Sequence, residues 1–149
     1  MALVYFDASA LVKLVVEEDG SNLAADLWDG CDAALSSRLA HPEVCAALAA
    51  AGRNRDLAPA ELTEALDAWH GYWASMRPVE LTAEVAERAA SLAVDYGLRG
   101  ADAVHLASAI ALGDVEVVVA AWDRRLHAAA VAVGLAVAPS TLAPTTGAH

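Results

Sequence analysis

Apolar positions fall into two kinds of run along this chain. Residues 2–6 and 117–121 are short and continuously apolar, as in strands buried on both faces, and place strands over 2–6 and 115–121. Residues 33–35 and 135–137 are shorter pieces of the same kind, and Pro78-Val79-Glu80-Leu81 reads as a further short strand over 78–81. Between them the apolar positions recur every three or four residues. Leu11, Leu14 and Val15 place a helix over about 9–18. Gly20-Ser21-Asn22 breaks the chain before another short helix towards Asp29. Ser36 or Ser37 is expected to cap the next helix, which carries Glu43 and ends near Gly52. A loop from Arg53 to Pro59 leads to a long helix over about 60–76. Thr82 then caps a helix ending at Gly97, with Glu84 and Arg88 as an i,i+4 pair on it. Gly100 precedes a helix to Gly113, and the last helix spans 124–133. Strands separated by helices imply a three-layer α/β/α fold with a central, mostly parallel sheet. Ligands of such sheets bind at the carboxyl ends of the strands.

The chain of 149 residues is the length of one domain, placed at 1–140, and the Pro/Thr/Gly/Ala tail 141–149 is expected to be flexible. A net charge of -11, from 20 acids against 9 Lys plus Arg, excludes binding of nucleic acid through a broad basic surface. It leaves open an acidic pocket filled by a metal ion, with a few arginines to hold phosphates. Cys31 and Cys45 form neither a CxxC nor a zinc spacing and read as reduced, structural thiols. The amino-terminal apolar run lacks a basic region before it and is interrupted by Asp7 and Lys13. It reads as neither a signal peptide nor a membrane span, so a soluble cytoplasmic protein with no membrane contact is expected.

Four acids stand at the edges of segments that otherwise read as core. Asp7 ends Leu3-Val4-Tyr5-Phe6, and Asp123 ends Val117-Val118-Val119-Ala120-Ala121-Trp122. Glu43 shares a helical stripe with Ala46, Ala47 and Ala50, and Asp102 falls in the first turn of a helix. Each has an ordinary explanation: Asp7 and Asp123 as helix caps, Asp102 as a complement to the helix dipole, Glu43 on a solvent edge. His105, three residues after Asp102, reads as a packed, hydrogen-bonded core histidine. Taken together, two acids at strand ends and two on flanking helices are expected to form one patch. At ~4 Å, like charges repel by about 4 kcal/mol at an effective dielectric of 20. Either some of them are protonated or a cation sits among them. Carboxylate oxygens without Cys or clustered His ligands suit Mg²⁺ or Mn²⁺.

The chain resembles PIN-domain ribonucleases, specifically VapC-type toxins of toxin–antitoxin pairs. The resemblance rests on Val4-Tyr5-Phe6-Asp7-Ala8-Ser9-Ala10, Pro42-Glu43-Val44, Leu98-Arg99-Gly100-Ala101-Asp102-Ala103-Val104-His105-Leu106-Ala107 and Trp122-Asp123-Arg124-Arg125-Leu126, in that order. It implies that Asp7, Glu43, Asp102 and Asp123 are the catalytic, metal-binding acids. Asp7 and Asp102 then hold Mg²⁺ (or Mn²⁺), with Glu43 and Asp123 acting through water and Ser9 supporting Asp7. The implied reaction is hydrolysis of an RNA phosphodiester, and the implied partners are RNA, a VapB-type antitoxin and a second copy of the chain. One departure is Ala121, where the family often carries Thr or Ser. A PIN nuclease that is not a toxin and a non-catalytic PIN-fold RNA-binding module are the alternatives. An aspartate-nucleophile phosphatase lacks its second acid, since Ser9 stands there, and the only lysine is Lys13.

Two surface assignments complete the reading. Arg38, Arg53, Arg55 and Arg99 are candidates for holding RNA phosphates. Leu62, Leu66, Trp69, Trp73 and Met76, with Tyr72 beside them, form a stripe of large residues at helical spacing. That stripe fits either the domain's own core or a dimer or antitoxin interface.

Overall fold

The computed structural model describes residues 2–113 and 116–143. Five strands, β1 (Leu3–Phe6), β2 (Ala33–Ser37), β3 (Arg77–Val79), β4 (Val117–Ala120) and β5 (Ala136–Ala138), form one sheet in the order β3-β2-β1-β4-β5. Every pairing is parallel, with Tyr5 of central β1 opposite Leu35 on one side and Val119 on the other. The seven helices of the described residues are α1 (Ala8–Val15), α2 (Ser21–Gly30), α3 (Ala40–Arg53), α4 (Pro59–Ala74), α5 (Ala83–Tyr96), α6 (Gly100–Ile110) and α7 (Arg124–Ala132).

Alternation along β1 explains why helices lie on both faces. Successive strand side chains point to opposite sides. Leu3 and Tyr5 enter a core with Leu92 of α5, Leu106 of α6 and Leu126 of α7. Val4 and Phe6 enter a second core with Leu11 of α1, Val44 and Leu48 of α3 and Trp69 of α4. The result is the three-layer arrangement expected from the apolar runs.

Several boundaries differ from the sequence reading, each for a local reason. The helix expected from 9 to 18 stops at Val15. Ser21 is not part of the break but opens α2, because its hydroxyl donates to the Val16 carbonyl and accepts from the Glu18 N–H. Neither Ser36 nor Ser37 caps α3. Both are buried in β2, paired with β3, and Ser36 Oγ donates to the Phe6 carbonyl at 2.6 Å. α4 ends before Met76, and the strand expected over 78–81 lies at Arg77–Val79. Thr82 does cap α5, and Gly97 ends it at φ +62°, a conformation glycine adopts without strain. The Glu84–Arg88 pair is absent from the ion pairs of the described residues. Val115 and tail residues 144–149 lie outside the described residues, while the Ala143 carbonyl accepts from Arg124. Among the described residues no helix is long and apolar enough to cross a membrane.

Gly20 matters to the site. It adopts φ +91°, and a Cβ there would stand 2.7 Å from Trp122 Nε1. Gly20→Ala is therefore expected to lower stability by roughly 1–3 kcal/mol through strain and overpacking, read as a reduced midpoint in denaturant.

Candidate active site

The chain leaves β1 towards one side of the sheet and β4 towards the other, so the crevice between their carboxyl ends is a topological switch point. Asp7 follows β1 and Asp123 follows β4 at that crevice. The two loops are joined through Ser9. Its hydroxyl accepts from the Trp122 N–H at 3.1 Å and donates to the Asp7 carboxylate, 2.7 and 2.8 Å from the two oxygens. The Ala10 N–H donates to Asp7 Oδ1 at 2.8 Å. Asp7 is thus both a helix cap and a buried acid, only 2% exposed.

Burial is the main reason its carboxyl is pushed up to about 6. His105, Ser9 and the Ala10 N–H oppose the shift, and Asp102 adds to it. Asp102, in the first turn of α6, is also raised, first by desolvation and then by Asp123, with Glu43 adding; His105 and Arg99 pull it back. Asp102 therefore feels each of the other three acids.

Glu43 supplies the feature that sequence reasoning missed. It has no basic partner on its own helix, but α6 brings His105 across the sheet's edge to it. Glu43 Oε1 lies 2.6 Å from His105 Nε2, and His105 Nδ1 lies 2.8 Å from the Tyr5 hydroxyl. His105 is a packed, hydrogen-bonded core histidine as expected, and it also holds a site acid. The available signals were a tyrosine inside an apolar strand and a histidine one turn after Asp102. Asp123 Oδ1 caps α7 by accepting from the Leu126 N–H at 2.9 Å. Ala121, two residues before Asp123, is fully buried.

The ion pairs of the described residues are Lys13–Glu18 and Arg38–Glu80, and the His105–Glu43 contact is a hydrogen bond that becomes an ion pair only with a protonated imidazole. None involves Asp7, Asp102 or Asp123. Among the described residues no three His, Cys or acidic side chains stand close enough to enclose an ion as placed. Three of the four carboxylates rest instead on protein donors. Glu43 and Asp123 each keep a second oxygen without a protein donor among the described residues, and Asp102 keeps both. A set of hard oxygens, mutually repelling and in no ion pair with lysine or arginine among the described residues, fits a divalent cation held partly through water.

The other assignments separate. Arg99 immediately precedes α6 and acts on Asp102, and Arg38 leaves the carboxyl end of β2 paired to Glu80 and 5.9 Å over the Trp73 ring. Arg53 is ten residues from Glu43 on α3, about 15 Å along the axis at 1.5 Å per residue, and Arg55 lies beyond it. Neither is brought to the acids. In the large-residue stripe, Trp69 and Met76 are buried in the chain's own core, while Leu62, Leu66, Tyr72 and Trp73 are half-buried against it. Cys31 and Cys45 are free thiols.

Residues 4–132 match the PIN domain family, and the chain belongs to it. Over 144 residues it is 65% identical to Ribonuclease VapC45 of Mycobacterium tuberculosis (strain CDC 1551 / Oshkosh), which covers 97% of this chain and 100% of that protein. This makes it a VapC-type member. Among solved structures, Mycobacterium tuberculosis VapC20, described as a sarcin-ricin loop cleaving toxin, superposes with a TM-score of 0.65 at 18% identity, over 94% of this chain and 99% of that one. A toxin–antitoxin complex from Klebsiella pneumoniae gives a TM-score of 0.52 at 20% identity, over 77% and 83%. These two show the fold alone.

Proposed function

We propose that this chain is a divalent-metal-dependent endoribonuclease that acts as the toxin of a toxin–antitoxin pair. The observation that carries the reading is the coupled set Asp7, Glu43, Asp102 and Asp123 at the switch point, with Asp7 buried and paired to no base. Asp7 and Asp102 would hold Mg²⁺, or Mn²⁺ in its place, and Glu43 and Asp123 would reach it through water. The chemistry such an ion would supply is polarisation of the phosphoryl oxygen and a more acidic attacking water. Ser9 and the Ala10 N–H fix the direction of Asp7, and His105 fixes that of Glu43. Arg99 and the amino-terminal end of α6 supply positive potential beside Asp102, where an RNA phosphate meets little other cationic surface.

A cognate VapB-type antitoxin, a homodimer and a cytoplasmic location belong to the same proposal. The 65% identity to a VapC ribonuclease supports the first, and two free thiols fit a reducing compartment. A partner surface on α4 falls to its half-exposed residues Leu62, Leu66, Tyr72 and Trp73, since Trp69 and Met76 are used inside.

The test is purified protein with total RNA, in EDTA and with added Mg²⁺ or Mn²⁺, followed by mapping of the cut ends. Discrete cuts that need the ion are expected. Full cleavage in EDTA, with residual metal excluded, removes the metal mechanism. Expression is expected to arrest growth and co-expression of a neighbouring antitoxin to relieve it. Harmless expression beside intact cleavage in vitro leaves a PIN nuclease that is not a toxin.

A further inference from the structure

We infer that Tyr5 and His105 form a positioning relay that aims Glu43 at the acid site, with Tyr5 donating to His105 Nδ1 and His105 Nε2 donating to Glu43 Oε1. The inference rests on the metal-dependent reading above and adds to it two residues that touch neither ion nor RNA.

Geometry comes first. The two contacts are 2.8 and 2.6 Å, and Tyr5 and His105 are 0% and 1% exposed, so bulk water does not compete for either. The rings meet edge to face, with centroids 5.8 Å apart and planes at 73°. The relay joins three elements: β1, α6 and α3. Tyr5 lies two residues before Asp7 and His105 one turn after Asp102. The strand and helix that carry Asp7 and Asp102 therefore also determine where Glu43 stands.

Donor direction follows from the groups. An ionised carboxylate accepts hydrogen bonds only, so Nε2 must carry the hydrogen that Glu43 receives. A neutral imidazole then has an acceptor at Nδ1, and the phenol hydroxyl is the matching donor. The Ser37 backbone and the hydroxyls of Ser36 and Ser108 lie near that phenol oxygen, and the two hydroxyls spend their own hydrogens on the Phe6 and Val104 carbonyls, which leaves His105 as the acceptor for the phenol. Burying a hydroxyl and an imidazole costs free energy unless both are hydrogen-bonded. A residue serving only the core would be served as well by Phe or Leu. The polar chain has one outlet, Glu43, whose side chain is 25% exposed and whose second oxygen meets no protein donor among the described residues. Outer partners of this kind fix ligand orientation in metal sites, and their loss costs about 10–100-fold in metal affinity or activity.

The test uses the full chain as wild type, Tyr5→Phe, His105→Gln and His105→Leu, each checked for a cooperative melt. Nitrogen NMR of ¹⁵N-histidine-labelled protein in EDTA reads the tautomer, with the His105 signal assigned by its loss in His105→Gln. Wild type is expected to show His105 protonated at Nε2 and not at Nδ1, and Tyr5→Phe to lose that fixed pattern. Calorimetric titration with Mn²⁺ is expected to show binding weakened about 10–100-fold in Tyr5→Phe and His105→Leu. His105→Gln, whose amide N–H reaches the place of Nε2–H, is expected to recover most of it. Cleavage kinetics should show the loss in kcat with KM for RNA nearly unchanged. If His105→Leu does not fold, Tyr5→Phe and His105→Gln carry the comparison. An Nδ1-protonated His105 in wild type overturns the relay. So does Tyr5→Phe with unchanged Mn²⁺ affinity and tautomer. Wild type that binds no Mn²⁺ overturns the metal reading and the relay together, whereas unaltered binding in the variants overturns the relay alone.

Discussion

Asp7→Asn and Asp102→Asn are each expected to lower RNA cleavage by about three orders of magnitude, within the range that one positioned acid or base supplies. Asn keeps the shape and one oxygen of Asp but not the charge. At position 7 that oxygen still accepts from the Ala10 N–H and from Ser9, so the cap survives and the site charge does not. At position 102 the loss removes the acid coupled to the other three. Single-turnover cleavage of one mapped RNA, across a Mg²⁺ titration, measures the effect. A loss that saturating Mg²⁺ reverses assigns the acid to holding the ion, and a loss that persists assigns it to the chemical step. Near wild-type cleavage by both variants would remove these acids from the mechanism.

The second large effect has the opposite sign. Asp7→Asn is expected to make the metal-free protein more stable at pH 7 while it inactivates it. Burial holds the Asp7 carboxyl at about 6 in the folded chain, against an ordinary value of 3.8. The folded state therefore binds the proton more tightly than the unfolded state. Wild-type stability falls as pH rises through the window from 3.8 to about 6, and the penalty is fully present above it. At about 1.4 kcal/mol per unit the penalty is roughly 2–3 kcal/mol, a large share of a domain's ~5–15 kcal/mol. The asparagine amide carries two N–H donors: one can meet the second lone pair of Ser9 Oγ, and the other, with no acceptor among the described contacts, sets the net gain below that figure. Denaturant melts of both proteins in EDTA should show the variant ahead at pH 7.5 and the gap closing towards pH 4.5. Added Mg²⁺ should then raise wild type and leave the variant almost unmoved. A variant that melts below wild type at pH 7.5, with no closing of the gap, would mean that Asp7 is a structural acid and not a charge held for a cation.

Much of this protein is legible from residue order. The alternation Leu3-Val4-Tyr5-Phe6 and the run Val117–Ala120 mark strands buried on both faces, because strand side chains alternate and both faces here are apolar. Thr82 and Gly97 bound α5 correctly because capping is local: one hydroxyl meets one N–H, and one glycine takes a left-handed turn. Asp7 and Asp123 stand out for the same kind of reason, since an acid at the end of an apolar run is a conflict visible within ten residues, whereas Glu43 and Asp102 stand out only through helical spacing.

Contacts between distant segments were not legible. Ser36 and Ser37 looked like helix caps because no local pattern announces that β3 will pair with β2 and that the Phe6 carbonyl will accept from Ser36. Glu43 looked unpaired because its partner lies 62 residues away. The stripe on α4 could equally have faced a partner, and only packing put Trp69 and Met76 inside. Arg53 and Arg99 are indistinguishable as sequence. The helix axis carries the first away from the acids, and the start of α6 sets the second beside Asp102. The sequence by itself determined which residues are apolar, which acids sit at their edges and where local hydrogen bonds start and stop helices. The tertiary structure alone decided which of them meet, because parallel pairing and the helix crossovers between strands bring together groups that no short-range pattern relates.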